Sequence, residues 1–456
     1  MLLQGGPLQH IPQGRSMHHA KNSHISDATI DWPALKDVLA DAGYTSRPVG
    51  VLFADHFQAN ANDLIARLTE AASHRGTAAH QDSAAPHQDG TTPHRAGSDS
   101  ALPTPTIRVA SKSLRIRKAL DAALETPGFE GILSFTLPEA VWLAENGYRD
   151  IVVAYPNVNI DAIKTWTTSE SALEHVTLMV DDPQQLDLID HVAPGHPDLK
   201  VAVELDASYR PARGVMIGAA RSPLSTATAV TKLATHIVGR NGFTLDGLMA
   251  YEGQIAGEAN AGKTPRQTIL RRIQAASAKD IAHRRAETVE AISALAPLRF
   301  VNGGGTGSIE TTGTEAAITE VAAGSGLVGP GLFDNYTAFK PAPALAFGMD
   351  VVRRPNKNTA TVLGGGWVAS GPPGPSRLPT IAWPPNVKYR GTEGPGEVQT
   401  PLTGPGARNL RIGDIVWFRH AKAGEVSERI NSVVVISGTG VIDEWPTYRG
   451  EGKAFL

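Results

Sequence analysis

The stretch Thr106-Ile-Arg-Val-Ala-Ser-Lys-Ser-Leu-Arg-Ile-Arg-Lys118 decides how the chain is read. An apolar run of β character ends on Lys112, and a helical pattern over 114–124 begins at once. Outward from it the same step recurs. Short apolar runs at 107–111, 131–135, 151–154, 176–180, 201–205, 245–251, 299–302 and 316–321 alternate with helical patterns at 138–146, 161–172, 183–192, 226–240 and 264–294. Short apolar strands are those covered on both faces, and strand–helix alternation means a parallel sheet with helical crossovers. Eight such units over about 220 residues match a (β/α)8 barrel of the TIM type, whereas a doubly wound sheet usually carries fewer strands. The expectation is an α/β barrel over 106–329. Barrel enzymes gather their chemistry at the C-terminal ends of the strands, and a desolvated lysine there can form a Schiff base. The plain alternative for Lys112 is a solvated lysine opening a helix.

From about residue 330 prolines and glycines become dense, and short β-type runs at 359–363, 412–419 and 433–436 replace helices. This reads as a C-terminal all-β domain over 330–456. Before the barrel, Pro48-Val-Gly-Val-Leu-Phe-Ala-Asp55 reads as a strand and the following residues as a helix, together 47–70. That strand is expected to open the sheet of the β domain. Residues 1–46 lack periodicity and read as a poorly ordered tail. Residues 71–105 contain hardly any large apolar side chain, cannot repay the entropy of ordering, and read as a linker. The histidines of these segments, His18 and His19 and then His80, His87 and His94 at seven-residue spacing, are weak metal candidates and read as solvated.

Composition narrows the partners. The 456 residues carry a formal charge of −3, so nothing favours nucleic acid or an anionic membrane. The absence of cysteine excludes disulfides, thiolate metal sites and cysteine nucleophiles. No run approaches a membrane span, and the N-terminus lacks the apolar core of a signal peptide. A cytoplasmic protein acting on a small molecule is the expectation.

The most specific local signal is Phe300-Val-Asn-Gly-Gly-Gly-Thr-Gly-Ser308, a run of small residues directly after the seventh strand. Such a loop offers backbone N–H groups to an anion, and barrel enzymes often hold phosphate with the loops after strands seven and eight. Gly303, Gly304, Gly305, Thr306 and Gly307 are therefore candidates for holding a phosphate. Glu320-Val-Ala-Ala-Gly-Ser-Gly326, after strand eight, adds Gly324 and Ser325. A dinucleotide fingerprint fails, because Ser308 stands where the third glycine belongs and the run comes late in the chain. Tyr251 and Glu252 end strand six, while Glu204 and Asp206 close strand five with Arg213 in the loop beyond. Carboxylates there could orient a substrate amine, and an arginine could meet a phenolate or a carboxylate. In the β domain, Val416-Trp-Phe-Arg-His-Ala-Lys-Ala-Gly-Glu425 sets His420 beside Lys422 and near Glu425. This matters only if that domain closes over the barrel mouth.

Together these residues resemble the fold-type III pyridoxal-phosphate enzymes, specifically the D-threonine aldolase and D-serine dehydratase group related to alanine racemase. Arg108-Val-Ala-Ser-Lys112 is similar to the Schiff-base strand of that family, and Ala250-Tyr-Glu-Gly253 to its strand-six motif. Gly303-Gly-Gly-Thr-Gly307 with Ala323-Gly-Ser325 resembles its phosphate cradle, and the strand from Pro48 to Asp55 with Asn62 its opening strand and helix. The resemblance implies pyridoxal 5′-phosphate bound as a Schiff base on Lys112, with Tyr251 beside the ring, and a homodimer. It implies a lyase acting on D-β-hydroxy amino acids, by aldol cleavage of D-threonine or dehydration of D-serine, with Lys112, His420 and Lys422 as catalytic groups. An amino-acid racemase and a non-catalytic pyridoxal-phosphate protein are the alternatives. The family binds a divalent metal through a histidine and the residue two positions on. Here His420 matches the histidine, but Lys422 stands at the second ligand, and an ammonium repels a metal. Either the metal is absent and Lys422 helps polarise the substrate hydroxyl, or Glu425 supplies a ligand from a shifted site. The metal-free reading is preferred.

Overall fold

The strand–helix alternation closes into a barrel in the computed structural model, which describes residues 29–75, 102–391 and 393–456. The histidines at 18, 19, 80, 87 and 94 lie outside the described residues, as do most of the expected tail and linker. A first strand, β1 (Val49–Phe53), precedes the barrel. The barrel strands begin with β2 (Thr106–Ala110), β3 (Phe129–Ser134), β4 (Ile151–Val153), β5 (Val176–Val180) and β6 (Leu199–Glu204). An inserted hairpin, β7 (Tyr209–Ala212) and β8 (Val215–Ile217), follows; then β9 (Phe243–Ala250), β10 (Phe300–Gly303) and β11 (Glu320–Ala323) complete the ring. Every pairing around the closed barrel is parallel, from β2 through β6 to β9, β10, β11 and back to β2. The eighth strand lies a few residues later than the pattern at 316–321 suggests.

Inside, Val152, Met179, Ala202, Met249 and Phe300 fill the floor. Phe300 needs the bare backbone of its register partner Gly247, where a Cβ would stand 2.5 Å from the ring. Below lies a buried ion network: Arg108 gives Nε to Glu320 Oε1 at 2.6 Å and Nη2 to Glu320 Oε2 at 2.7 Å, and reaches Asp150 Oδ2 at 3.0 Å. Arg108, four residues before the lysine, is thus a closing group of the barrel floor.

The β domain contains β12 (Leu345–Asn356), β13 (Thr359–Leu363), β14 (Thr380–Trp383), β15 (Lys388–Tyr389), β16 (Gln399–Thr403), β17 (Ile415–Arg419), β18 (Ser432–Ser437) and β19 (Gly440–Pro446). As its position suggested, β1 belongs to this sheet: it pairs antiparallel with β12 (Val49 opposite Gly348) and parallel with β18 (Gly50 opposite Val433). The expected tail contains a helix, Leu35–Asp41, whose Leu35 and Leu39 are buried against Phe53 and Trp417. One seven-residue helix with two leucines is too short for its periodicity to show. The helix after β1 runs Ala54–Ser73, and Asn60, not the exposed Asn62, is its structural asparagine. Asn60 Nδ2 donates to Leu327 O at 3.0 Å and to Ala342 O at 2.9 Å, tying the end of the barrel to the start of the β domain. Among the described residues no helix is long and apolar enough to cross a membrane.

Candidate active site

At the C-terminal ends of the barrel strands lies a cavity of about 310 Å³, roofed by Ser370, Lys422 and Ala423 of the β domain. Lys112 reaches it because β2 stops at Ala110 and a 3₁₀ turn, Ser111–Ser113, swings the chain outward. Two contacts fix that turn: Ser111 Oγ donates to Leu133 O at 3.2 Å, and Arg115 Nε donates to Lys112 O at 3.1 Å. The β domain closes against the same point. A Cβ on Gly424, whose φ is +102°, would stand 2.3 Å from Lys112 O. Lys112 Nζ lies 3.4 Å from the Tyr155 hydroxyl.

Two loops of small residues face it. After β10, Gly304, Gly305, Thr306 and Gly307 line the cavity; after β11, Gly324 and Ser325 do. Thr306 Oγ1 accepts from Ser325 Oγ and from Gly326 N, both at 3.2 Å, so the loops are bonded to each other. Among the described residues nothing accepts from the backbone N–H of Thr306, Gly307 or Ser325, which leaves three donors and two hydroxyls at one spot. That is the donor set of an anion site. Gly303 is not part of it. It belongs to β10, where its missing side chain makes room for Arg285, 2.8 Å from a Cβ there.

Glu252, expected to line the site, is buried beneath the glycine loop. Its Oε2 accepts from Gly304 N at 3.1 Å and from Arg285 Nη2 at 3.0 Å, and Thr312 Oγ1 donates to its Oε1. It is the strut that holds the loop in shape. Tyr251 does line the cavity, and burial, with help from Tyr155 and Glu252, pushes its phenol up to about 12. It is a neutral ring and a hydrogen-bond donor at any working pH.

Arg213 stands exposed in the turn of the hairpin β7–β8 and does not line the cavity; the arginine that does is Arg221. The hairpin lengthens the connection after β6, so the return stroke, not the outgoing one, brings a guanidinium to the site. Arg221 lies 5.8 Å from the centre of the Tyr155 ring and makes no ion pair among the described residues. Below it Glu204 ends β6, and burial, then Asp181, push its carboxyl up to about 7 despite Arg221.

His420 is buried and does not line the cavity. Its Nδ1 donates to Lys422 O at 2.5 Å, and burial pushes the imidazole down to about 4, so it is neutral. It shapes the turn that carries Lys422; a role as direct proton acceptor does not fit its position. Lys422 itself lines the cavity, its ammonium pKa lowered by burial and by Arg377. Glu425 spends Oε1 on Ser370 N at 3.0 Å. Among the described residues no three His, Cys, Asp or Glu side chains gather to hold a metal. Tyr155, Arg221 and Ser370 escaped the sequence reading. Only Tyr155, directly after an apolar strand, carried the signal of a strand end.

The architecture, a closed (β/α)8 barrel with a mostly antiparallel β domain that roofs the barrel mouth and takes in the preceding strand β1, is that of the alanine racemase-like fold. No protein-family model and no curated protein matches the chain. Among solved structures, D-threonine aldolase from Filomicrobium marinum superposes with a TM-score of 0.68 at 18% identity, covering 89% of this chain and 95% of its own. D-threo-3-hydroxyaspartate dehydratase from a Delftia species gives 0.60 at 18%, covering 88% and 97%. An alanine racemase-like protein from Idiomarina loihiensis gives 0.60 at 16%, covering 91% and 98%.

Proposed function

We propose that this protein is a pyridoxal-phosphate-dependent lyase acting on D-β-hydroxy amino acids. The observation that carries the reading is Lys112 at the end of the first barrel strand, facing an anion cradle built from the loops after the last two. Lys112 would hold the cofactor by its aldehyde carbon, Thr306, Ser325 and the free N–H groups its phosphate, and Tyr251 would pack beside its ring. The cradle fits a bulky anion: a Cβ on Gly305 would stand 3.3 Å from the Tyr251 ring and one on Gly324 2.6 Å from Ala110 O, so any side chain there would crowd the space. When bound, the cofactor supplies an electron sink for the bond broken at the substrate Cα.

The protein's own groups then have defined work. Lys112 Nζ, with the Tyr155 hydroxyl 3.4 Å away, would be the group that receives or returns a proton at the substrate Cα. Arg221 offers a guanidinium to a carboxylate or phenolate on the barrel side. Lys422 presents its ammonium from the β-domain side, where it can donate a hydrogen bond to the β-hydroxyl. Ser370 and Lys422 stand over the barrel mouth above these groups.

Borohydride treatment of the protein loaded with pyridoxal phosphate should fix the cofactor on the peptide containing Lys112, and Lys112→Ala should lose both that adduct and the visible absorption band. An adduct on another lysine, or none, overturns the reading. Incubation with D-threonine and D-serine then separates glycine plus aldehyde from oxoacid plus ammonia. Product formation indifferent to chelator is expected, since Lys422 occupies the roof; loss of turnover on chelation would require a metal ligand set other than His420 with Lys422.

A further inference from the structure

The helix Ala54–Ser73 turns an arginine inward. Its buried face carries Phe57, Ala61, Leu64, Leu68 and Ala71, and Arg67 stands in the same stripe, 9% exposed. A guanidinium is rarely buried without partners, and here it has three. Its Nε donates to Glu310 Oε1 at 2.6 Å, its Nη2 donates to Thr306 O at 3.0 Å, and Cζ lies 3.9 Å from the centre of the Phe339 ring. Its Nη1 makes no hydrogen bond among the described residues, with Asp63 Oδ2 3.9 Å away. The same helix face packs on bare backbone beside the two small-residue loops. A Cβ on Gly326, after β11, would stand 3.0 Å from Leu64 Cδ2, and one on Gly313, after the β10 loop, 3.0 Å from Leu68 Cδ1.

The bond to Thr306 O reaches the anion cradle from behind. Thr306 O and the N–H of Gly307 belong to one planar peptide unit, and that N–H is one of the three free donors of the cradle. A donor that draws electron density onto the carbonyl oxygen makes the N–H at the other end of the peptide a better donor, because bonds in a chain polarise one another. A charged donor such as Arg67 does so more strongly than a neutral one. The donors of the cradle itself, the Thr306 and Ser325 hydroxyls and the backbone N–H groups, are all neutral. Glu310 meets much of the charge of Arg67, so the influence on an anion runs through the peptide and not through a free cation. We propose that Arg67 is a positioning residue for the cofactor phosphate: it fixes and polarises the Thr306–Gly307 peptide, so a helix that precedes the barrel sets how firmly the cradle holds an anion. This rests on the pyridoxal-phosphate reading above and extends it to a residue that does not line the cavity.

The test compares two aldehydes on the full chain freed of cofactor: pyridoxal phosphate, and pyridoxal, which can bond to Lys112 in the same way but has no phosphate. The readout is the ratio of their affinities, from titration of the visible band. Arg67→Met should lower that ratio at least about tenfold, the effect of one charge-assisted hydrogen bond, and leave the affinity for pyridoxal nearly unchanged. Arg67→Lys, which keeps a charged donor and loses the fork, should recover part of it. Thermal melting shows which variants fold, and a partial loss of folded protein lowers both titrations alike and leaves the ratio unmoved. Should Arg67→Met not fold, Arg67→Gln, which is neutral and still able to bond, should lower the ratio in the same direction. An unchanged ratio in the folded variants, whether both affinities fall together or neither does, would mean that Arg67 only anchors its helix, and would overturn the proposal. Borohydride trapping is scored in the same samples. If both aldehydes are fixed on Lys112 and the ratio is unchanged, only the role of Arg67 fails; if neither is fixed there, the pyridoxal-phosphate reading fails first.

Discussion

Glu204 ends β6 with its carboxyl at the cavity, 7% exposed, and carries no side-chain hydrogen bond among the described residues. Burial, with Asp181 and Asp206 adding like charge, raises it from 4.5 to about 7, against the pull of Arg221. Between those two values the folded chain keeps a proton that the unfolded chain releases, so stability falls as pH rises through that window and the full penalty stands above 7. Each pKa unit corresponds to about 1.4 kcal/mol, which bounds the penalty at about 3 kcal/mol. Glu204→Gln should therefore stabilise the protein near pH 8 and leave it nearly unchanged near pH 5, measured by urea denaturation at both. An equal gain at both would show that the carboxyl is not titrating. At this scale the sequence was readable where strand ends deliver side chains to the cavity, as at Lys112, Tyr251 and Glu204. It misled where a neighbouring residue of the same type takes the position facing the cavity or the buried joint. Arg221 stands for Arg213 because the hairpin folds back, and Asn60 for Asn62 because only the former faces inward on its helix.

The two small-residue loops depend on how closely β2, β10 and β11 approach at their ends. Gly324 leaves β11 where a Cβ would meet Ala110 O at 2.6 Å and Ser113 Cβ at 3.1 Å, in the turn that projects Lys112. Gly324→Ala must push the β11 loop away from β2, and overpacking of this kind typically costs about 1–3 kcal/mol. Affinity for pyridoxal phosphate should fall roughly ten- to a hundredfold, read by titration of the visible band, with Gly391→Ala, which meets nothing within 4 Å, as the silent control. Undiminished affinity would place the phosphate elsewhere. The barrel was legible because each of its strands is a separate apolar run bounded by a helix, and because the glycine loop falls at a fixed place in that count. The hairpin β7–β8 was not: its residues are mostly exposed, and such a strand pair has no buried face to leave a pattern. Nor could a pattern along the chain show that Glu252 lies under the glycine loop, since its partners Arg285, Gly304 and Thr312 come from three later segments.

The site exists only while the β domain sits on the barrel, and the fold makes the two difficult to separate. β1 enters before the barrel but lies between β12 and β18, so the sheet of the β domain is incomplete without the N-terminal segment. Ion pairs continue the attachment along one side: Arg115 with Glu428, Arg117 with Glu451, and Lys118 with Asp443 at 2.7 Å. Tyr448 Oη adds a buried hydrogen bond to Glu139 Oε1 at 3.0 Å. Asn60 is the most concentrated of these attachments, because its 1% exposed amide donates to Leu327 O and Ala342 O while its Oδ1 accepts from Ala342 N at 2.8 Å. Asn60→Ala orphans one buried N–H and two carbonyls at the joint, a loss of at least about 3 kcal/mol at roughly 1–3 kcal/mol for each unsatisfied group. If the two parts unfold together, calorimetry shows one transition that moves down as a unit in this variant. Tryptophan fluorescence, which includes Trp367, Trp383, Trp417 and Trp445 of the β domain, should then move in step with far-ultraviolet ellipticity from the barrel helices. A second transition, with only the fluorescence shifted, would mean that the roof carrying Lys422 can open while the barrel stays folded.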